Sequence, residues 1–363
     1  MKDLKSFLRK KLNEKRIISY SLTFLKEGEE KFSLYDGYAV LKPKKIKAEE
    51  NTIYDLASLT KPLATSLLMA ILLERKLINL EDRLGKFFNS IPLEKREIKV
   101  YQLLSHSSGI IAWKPLYYKK RGFESMLKEA LNSEMIAPPE TRVEYSCLNY
   151  IILKGIIEKV SGESYEKLFN ELIKEKLNLK YTYFSPTPPK LKEKISATED
   201  GNEYEREKAK NLFNIDIPKR TGIIWGEVHD GNSYYAGGTG GNAGLFSTAK
   251  EVGIIARQFL KDYSLLLKSD TIELFYKDFT PFDDIRRSIG LILVNTKNSV
   301  IPSLFSKKAG YHNGFTGTSF AVDSKRNLVV VILTNRVHPY VREPLPKDIF
   351  KAIYTYIMRN YNV

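Results

Sequence analysis

Segments with strand character stand at the two ends of this 363-residue chain and are scarce between them. Near the start, "IISYSLTFLKEG" and "KFSLYDGYAV" are rich in Ile, Tyr, Phe and Val, and the polar "KEGEE" joins them, which predicts a β-hairpin. Near the end, "SFAVD" and "LVVVILTN" flank "SKRN" and predict a second hairpin, with "SIGLILVN" as a further strand before it. From about 100 to 235 the texture is helical with long loops, as in "FESMLKEALN", "NYIILKGIIEKVSG" and "SYEKLFNELIKEKL". One sheet built from both ends satisfies all these strands at once. The expected fold class is therefore α+β: an antiparallel sheet from the N- and C-terminal segments, flanked by helices, with a mostly helical middle region. The expected organisation is a single domain over 1–363, with a sheet subdomain from 1–95 and 245–363 and a helical insertion at 96–244.

Charge excludes less than it suggests. The formal net charge is +15, yet the lysines are scattered ("KKLNEKR", "KPKKIK", "LEKREIK") with Glu among them. No stripe interleaves aromatics with Arg, so no nucleic-acid partner is expected. The single cysteine, Cys147, rules out a disulfide within the chain and a cysteine-based metal cluster, and no metal or cofactor is expected. Few Cys, two Gln and much Lys, Glu and Ile lean towards a heat-adapted protein. "MKDLKSFLRKKLNEKR" lacks the apolar centre of a secretory signal and reads as a surface helix. The apolar run "PLATSLLMAILL" is shorter than the roughly 20 residues a bilayer span needs. The expectation is a cytoplasmic protein with no membrane partner; nothing indicates an oligomeric state.

Chemistry concentrates at the start of that apolar run. In "YDLASLTKPLATSLLMAILL", Ser58 and Lys61 are three apart and share one helix face. Ser58 stands at the helix start, near free backbone N–H groups and the positive end of the dipole. A serine hydroxyl attacks only when a base takes its proton. A lysine among apolar neighbours can serve as that base, or can lower the pKa of another. Downstream, Tyr145 precedes an apolar helix, and a phenol beside one or two cations can act as general base. "AGYHNGFTGTSFAVD" places His312 and Gly314 on an expected edge strand. Gly314 would let substrate approach the backbone, and the N–H of Phe315 would form an oxyanion hole with that of Ser58. The five glycines of "AGGTGGNAG" lack a phosphate-binding pattern and read as a tight chain crossing.

S-x-x-K, then a tyrosine motif, then H-x-G, in that order, resembles the penicillin-recognising serine hydrolases. "LLSHSSGI", "GEVHDGNSYYAGGTGGNAGLFSTA" and "HNGFTGTSFAVD" are similar to phrases of the class C β-lactamase-related branch, which includes D-alanyl-D-alanine carboxypeptidases and family VIII carboxylesterases. The resemblance covers roughly residues 30 to 355 and implies a β-lactamase/transpeptidase-like fold. It implies that Ser58 is acylated, that Lys61 and Tyr145 are the acid/base pair, and that Phe315 and Ser58 N–H groups bind the oxyanion. It also implies that His312, Asn313, Gly314 and Cys147 bind substrate, with His312 steering an acidic or polar part of it. No metal is implied.

The chain departs from that pattern in three places. Cys147 stands where Asn or Asp is usual, Asn313 replaces the third-motif Thr, and Asn242 replaces a frequent His. Asn149, on the following helix, is expected to point elsewhere. Loss of both Lys and Thr from the third motif argues against efficient β-lactam hydrolysis. The expected function is cleavage of a small ester, amide or peptide through an acyl-enzyme. The alternative is a peptide or cell-wall-fragment binding protein that turns over weakly because of Cys147. His106 and His229 are expected to hold loops behind the site. Trp113, Tyr117, Tyr118 and Trp225 could line the pocket or belong to the core.

Overall fold

The structure, a computed structural model, describes residues 1–361. In chain order the strands are β1 (Ser19–Lys26), β2 (Glu29–Val40), β3 (Ile46–Lys47), β4 (Tyr54–Asp55), β5 (Tyr183–Phe184), β6 (Leu245–Ser247), β7 (Ile292–Leu293), β8 (Ala309–Gly314), β9 (Thr318–Asp323) and β10 (Leu328–Thr334). The main sheet has the order β3-β2-β1-β10-β9-β8-β7, so the two ends of the chain meet where β1 pairs antiparallel with β10. Both expected hairpins form, as β1–β2 and β9–β10. "SIGLILVN" contributes less strand than expected. Only Ile292–Leu293 pairs, because the chain turns at Ser288–Leu291, where the Ser288 N–H donates to the Leu291 carbonyl.

Both faces of this sheet are covered. Leu22 and Phe24 of β1 and Val330 and Ile332 of β10 face the helices Lys2–Asn13 and Lys347–Asn360, with Leu4, Leu8, Ile353 and Tyr354 in the same cluster. Leu25, Phe320, Val329 and Val331 face the other way, into a larger core with Leu63, Leu67 and the helix Ala249–Ala256. Burying each Val, Leu, Ile or Phe here contributes about 1.5–3 kcal/mol, so register is strongly specified on both faces.

The run after Ser58 is not the regular helix expected. A 3-10 turn over Ala57–Leu59 is followed by a π-helical stretch over Lys61–Ser66 and an α-helix over Leu67–Glu74. Pro62 lacks an N–H and cannot make the i→i−4 bond of an α-helix, which loosens the turn where the wide stretch begins. Ala57–Glu74 spans 18 residues and is apolar enough, by length and composition, to cross a bilayer; 83% of it is buried inside the fold.

Two further crossings set the site. Gly241 lies against helix Cys147–Ser161, so closely that a Cβ there would stand 2.5 Å from the Tyr150 carbonyl oxygen. Its own carbonyl accepts from Thr65 Oγ1 at 2.6 Å. The glycine-rich segment thus threads between the two helical runs. The small sheet β4-β6-β5 ties the end of that segment to the turn before Ser58.

Candidate active site

The Ser58 turn is fixed from several sides. Asp55 is buried, and its two carboxylate oxygens accept from the Ala57 and His229 N–H groups, both at 2.8 Å. Thr60 Oγ1 donates to the Ala57 carbonyl at 2.7 Å. Ala57 itself has φ +46°, a left-handed conformation that an L-residue adopts at a cost and that these bonds hold in place. Beside this turn, Thr316 Oγ1 donates to the Asp55 carbonyl at 2.7 Å, and Thr318 Oγ1 to that of Leu56 at 3.0 Å. These bonds clamp the β8–β9 turn and the start of β9 onto the residues before Ser58.

Lys61 is fully buried, and its Nζ makes three contacts: Ser58 Oγ at 2.9 Å, the Asn242 carbonyl at 3.1 Å and Cys147 Sγ at 3.6 Å. It also lies 4.9 Å from the centre of the Tyr145 ring. Burial works against its charge, but the neighbouring Cys147 and Tyr145 outweigh this and hold the ammonium above the usual lysine range. The weak thiol contact at Cys147 is supplemented by the Asn242 carbonyl, a strong acceptor delivered by the glycine segment. Asn149 does point elsewhere: its Oδ1 accepts from Ser108 Oγ at 2.8 Å.

Tyr145 stands just before the helix Cys147–Ser161, whose N-cap is Ser146. His106 carries the Tyr145 ring at 4.5 Å, and its Nδ1 accepts from the Ser146 N–H at 3.1 Å. The His106 carbonyl accepts from the Glu144 N–H. His106 thus positions the loop, as expected. The Tyr145 hydroxyl is buried with no hydrogen-bond partner among the described residues.

Ser58, Tyr145, Cys147 and Phe315 line one cleft of about 240 Å³, together with Trp113, Tyr204, Glu205, Lys208, His229 and Asp230. Among the described residues no acceptor takes the N–H of Ser58 or Phe315, as an oxyanion hole requires. His312, Asn313 and Gly314 do not line this cleft. His312 is 1% exposed, its Nδ1 donates to the Asn313 carbonyl at 2.9 Å, and burial, with Arg287 and Lys61 nearby, holds it neutral. It carries no charge with which to steer a substrate anion. Asn313 Oδ1 accepts from Ser319 Oγ at 2.8 Å. The space at Gly314 is taken by the chain itself: a Cβ there would stand 2.5 Å from the Leu56 carbonyl oxygen and against Thr318. These three residues set the position of Phe315. The expected edge character holds for part of β8, since β7 pairs only with Gly310 and Tyr311.

His229 does more than hold a loop, because it forms a wall of the cleft, stacked on Phe315 with ring centres 5.5 Å apart. Sequence reasoning missed Glu205, Asp230 and Arg287. Asp230 lay within a quoted family phrase; Glu205 and Arg287 gave no signal in their charged surroundings. Glu205 is buried, and burial with Asp230 close by raises its carboxyl to about 7. Trp113 lines the cleft, and Tyr117 is core with its hydroxyl on Glu205 at 3.1 Å. Trp225 packs elsewhere, donating to the Ile195 carbonyl at 2.8 Å. Tyr118 packs at the edge of the main core.

With the geometry in place, comparison decides the family. The family model described as Beta-lactamase matches residues 4–351. The chain belongs to the beta-lactamase family. A protein of Escherichia coli K12 provisionally named D-alanyl-D-alanine carboxypeptidase is 30% identical over 335 residues, covering 85% of this chain and 75% of that one. A counterpart in Salmonella typhimurium LT2 is 31% identical over 341 residues, with the same coverage. Two solved structures share the fold. The octameric penicillin-binding protein homologue from Pyrococcus abyssi superposes with a TM-score of 0.74 at 21% identity, covering 98% of this chain and 77% of that one. EstCE1, a hydrolase with promiscuous acyltransferase activity, gives 0.74 at 18% identity, covering 97% and 98%. This beta-lactamase family member therefore has relatives named as carboxypeptidases and shares its fold with a penicillin-binding protein homologue and a hydrolase.

Proposed function

We propose that the protein is a serine hydrolase that cleaves a small ester, amide or peptide through an acyl-enzyme on Ser58. The single observation that carries this reading is the 2.9 Å contact of buried Lys61 with Ser58 Oγ, beside an unpaired tyrosine hydroxyl. In this reading Tyr145 takes the Ser58 proton as Oγ bonds to the acyl carbon. The same proton goes to the leaving oxygen or nitrogen as its bond to that carbon breaks. Water then reverses the sequence and releases the acid. The N–H groups of Ser58 and Phe315 stabilise the oxyanion of both steps. The absence of a charged third-motif side chain in the cleft supports esters and peptides over β-lactams. Binding without turnover is the weaker reading, because the Asn242 carbonyl supplies Lys61 with the acceptor that Cys147 lacks.

Intact-mass measurement after treatment with a fluorophosphonate and with a penicillin ester checks this. One adduct is expected on the wild type and none on Ser58→Ala. An unlabelled wild type, or equal labelling of the variant, would sink the proposal.

A further inference from the structure

The cleft at Ser58 is lined by charges of both signs that pair with nothing. Asp230 Oδ1 accepts from the Ser233 N–H at 2.8 Å and from Asn242 Nδ2 at 3.1 Å, while its Oδ2 has no partner among the described residues. Glu205 is 7% exposed, and its two oxygens accept from the Tyr117 hydroxyl and the Gly231 N–H, both at 3.1 Å. Because Gly231 follows Asp230 in the chain, the two carboxylates are neighbours, and no cation pairs with either among the described residues. Lys208 lies one turn after Glu205 on the helix Glu203–Phe213. That helix pairs Arg206 with Glu203 and Lys210 with Asp216, and leaves Lys208 unpaired among the described residues. Lys208 Nζ instead stands 4.2 Å from the centre of the Trp113 ring. The cleft therefore has a negative pole at Asp230 and Glu205 and a positive pole at Lys208 and Trp113, and the two do not meet.

The negative pole is tethered to the nucleophile from two sides. One oxygen of Asp55 holds the N–H of Ala57, next to Ser58; the other holds the N–H of His229, next to Asp230. The Asn242 carbonyl accepts from Lys61 Nζ, and its side chain donates to Asp230. A group bound at Asp230 is therefore close to the carbonyl that Ser58 attacks. His229 independently calls for a donor there. Its side chain is buried on the cleft wall with Nε2 2.8 Å from Glu199, and its Nδ1 has no partner among the described residues. With the Nε2 hydrogen on Glu199, Nδ1 of the neutral ring is an acceptor, and an ammonium brings three donors. Charges withdrawn from water without partners are costly, so an occupant that pairs at both poles is favoured over a neutral one.

We propose that the substrate is a free dipeptide of small residues, with its ammonium at Asp230, Glu205 and His229 and its carboxylate at Lys208. This rests on Ser58 being the nucleophile in the reading above. In a dipeptide the ammonium is one carbon away from the scissile carbonyl, which puts it at the pole beside Ser58. The carboxylate belongs to the leaving residue. Ser58 Oγ bonds to the amide carbon, the C–N bond breaks, and the Ser58 proton ends on the leaving nitrogen, so the C-terminal amino acid departs. Water then releases the N-terminal residue from Ser58 as a second free amino acid. The cleft, at about 240 Å³ or about eight water volumes, suits two small residues and not a long peptide.

The test is kcat/KM for the stereoisomers of alanyl-alanine, and for their N-acetylated and C-terminally amidated forms, with wild type, Lys208→Met and Asp230→Asn. At least one isomer should be cleaved to alanine by the wild type and not by Ser58→Ala. Capping either end should lower kcat/KM by about 10–100-fold. Lys208→Met should slow the free dipeptide more than its amide, and Asp230→Asn should slow it more than its acetylated form. Capped substrates cleaved as fast as the free one overturn the proposal, as do variants that slow free and capped forms equally. Should a variant fail to fold, the capped substrates with the wild type decide. A wild type that a fluorophosphonate labels on Ser58, yet that cleaves no isomer, overturns the dipeptide and leaves the serine-hydrolase reading standing. An unlabelled wild type removes that reading itself.

Discussion

Ser58 sits between two unlike walls, the first mostly behind the cleft and the second lining it. On one side stand Lys61, Tyr145, Arg287, His106 and His312, with no carboxylate paired to either cation among the described residues. On the other stand Glu205, Asp230 and His229, with Glu199 accepting from His229 at 2.8 Å. The first wall carries the two cations Lys61 and Arg287, whereas on the second burial, and then Asp230 close by, raises the Glu205 carboxyl to about 7. At Glu205 burial is the larger cause, and the negative charge of Asp230 adds to it.

The largest expected effect breaks the first wall. Tyr145→Phe and Lys61→Met should each slow Ser58 acylation by about 10²–10⁴-fold in stopped-flow or timed labelling. Retention of most of the rate in Tyr145→Phe would assign the base elsewhere. Next is the clamp between the walls. Asp55→Ala leaves the Ala57 and His229 N–H groups unpaired and should cost about 2–6 kcal/mol in urea unfolding. A loss under about 1 kcal/mol would show that other contacts hold the Ser58 turn.

Glu205 probes the second wall. Its folded pKa, about 7, lies above the unfolded value of 4.5, so folding takes up a proton between these pH values. Its contribution to stability therefore falls as pH rises from 4.5 through 7, by up to about 3 kcal/mol. Glu205→Gln should flatten that slope when thermal unfolding is followed at about pH 5 and about pH 8. Parallel curves for variant and wild type would mean that Glu205 ionises normally. The smallest effect sharpens the first wall: Cys147→Asn gives Lys61 a stronger acceptor and should speed acylation by about two- to tenfold. An unchanged rate would show that the Asn242 carbonyl already suffices.

Legibility in the sequence followed the range of the interactions. Both hairpins were readable because β-branched runs and polar turns lie within a few residues of each other. Ser58 and Lys61 were readable because three residues on a helix share a face. The π-helical stretch was not, since Pro62 shows only that an α-helical bond is missing and not how the turn relaxes. Glu205 sits in "EYEREKAK", which reads as a solvated face; burial of one side chain of that helix depends on Tyr117 and Gly231 closing over it. His312 was read as facing substrate, yet alternation along β8 cannot say that Tyr145 and Arg287 would enclose it. Gly314 was read as room for a ligand, and the chain itself fills that room.

The sequence by itself determined the strand-bearing ends, the helical middle and the order of the Ser58, Tyr145 and His312 motifs, because each is a local pattern of residue type and spacing. Only the tertiary structure decided the protonation logic of the site. The charge around Tyr145 comes from Lys61 and Arg287, more than 200 residues apart. Coulomb interactions depend on distance through space and on burial, and neither is written in the spacing of residues along the chain.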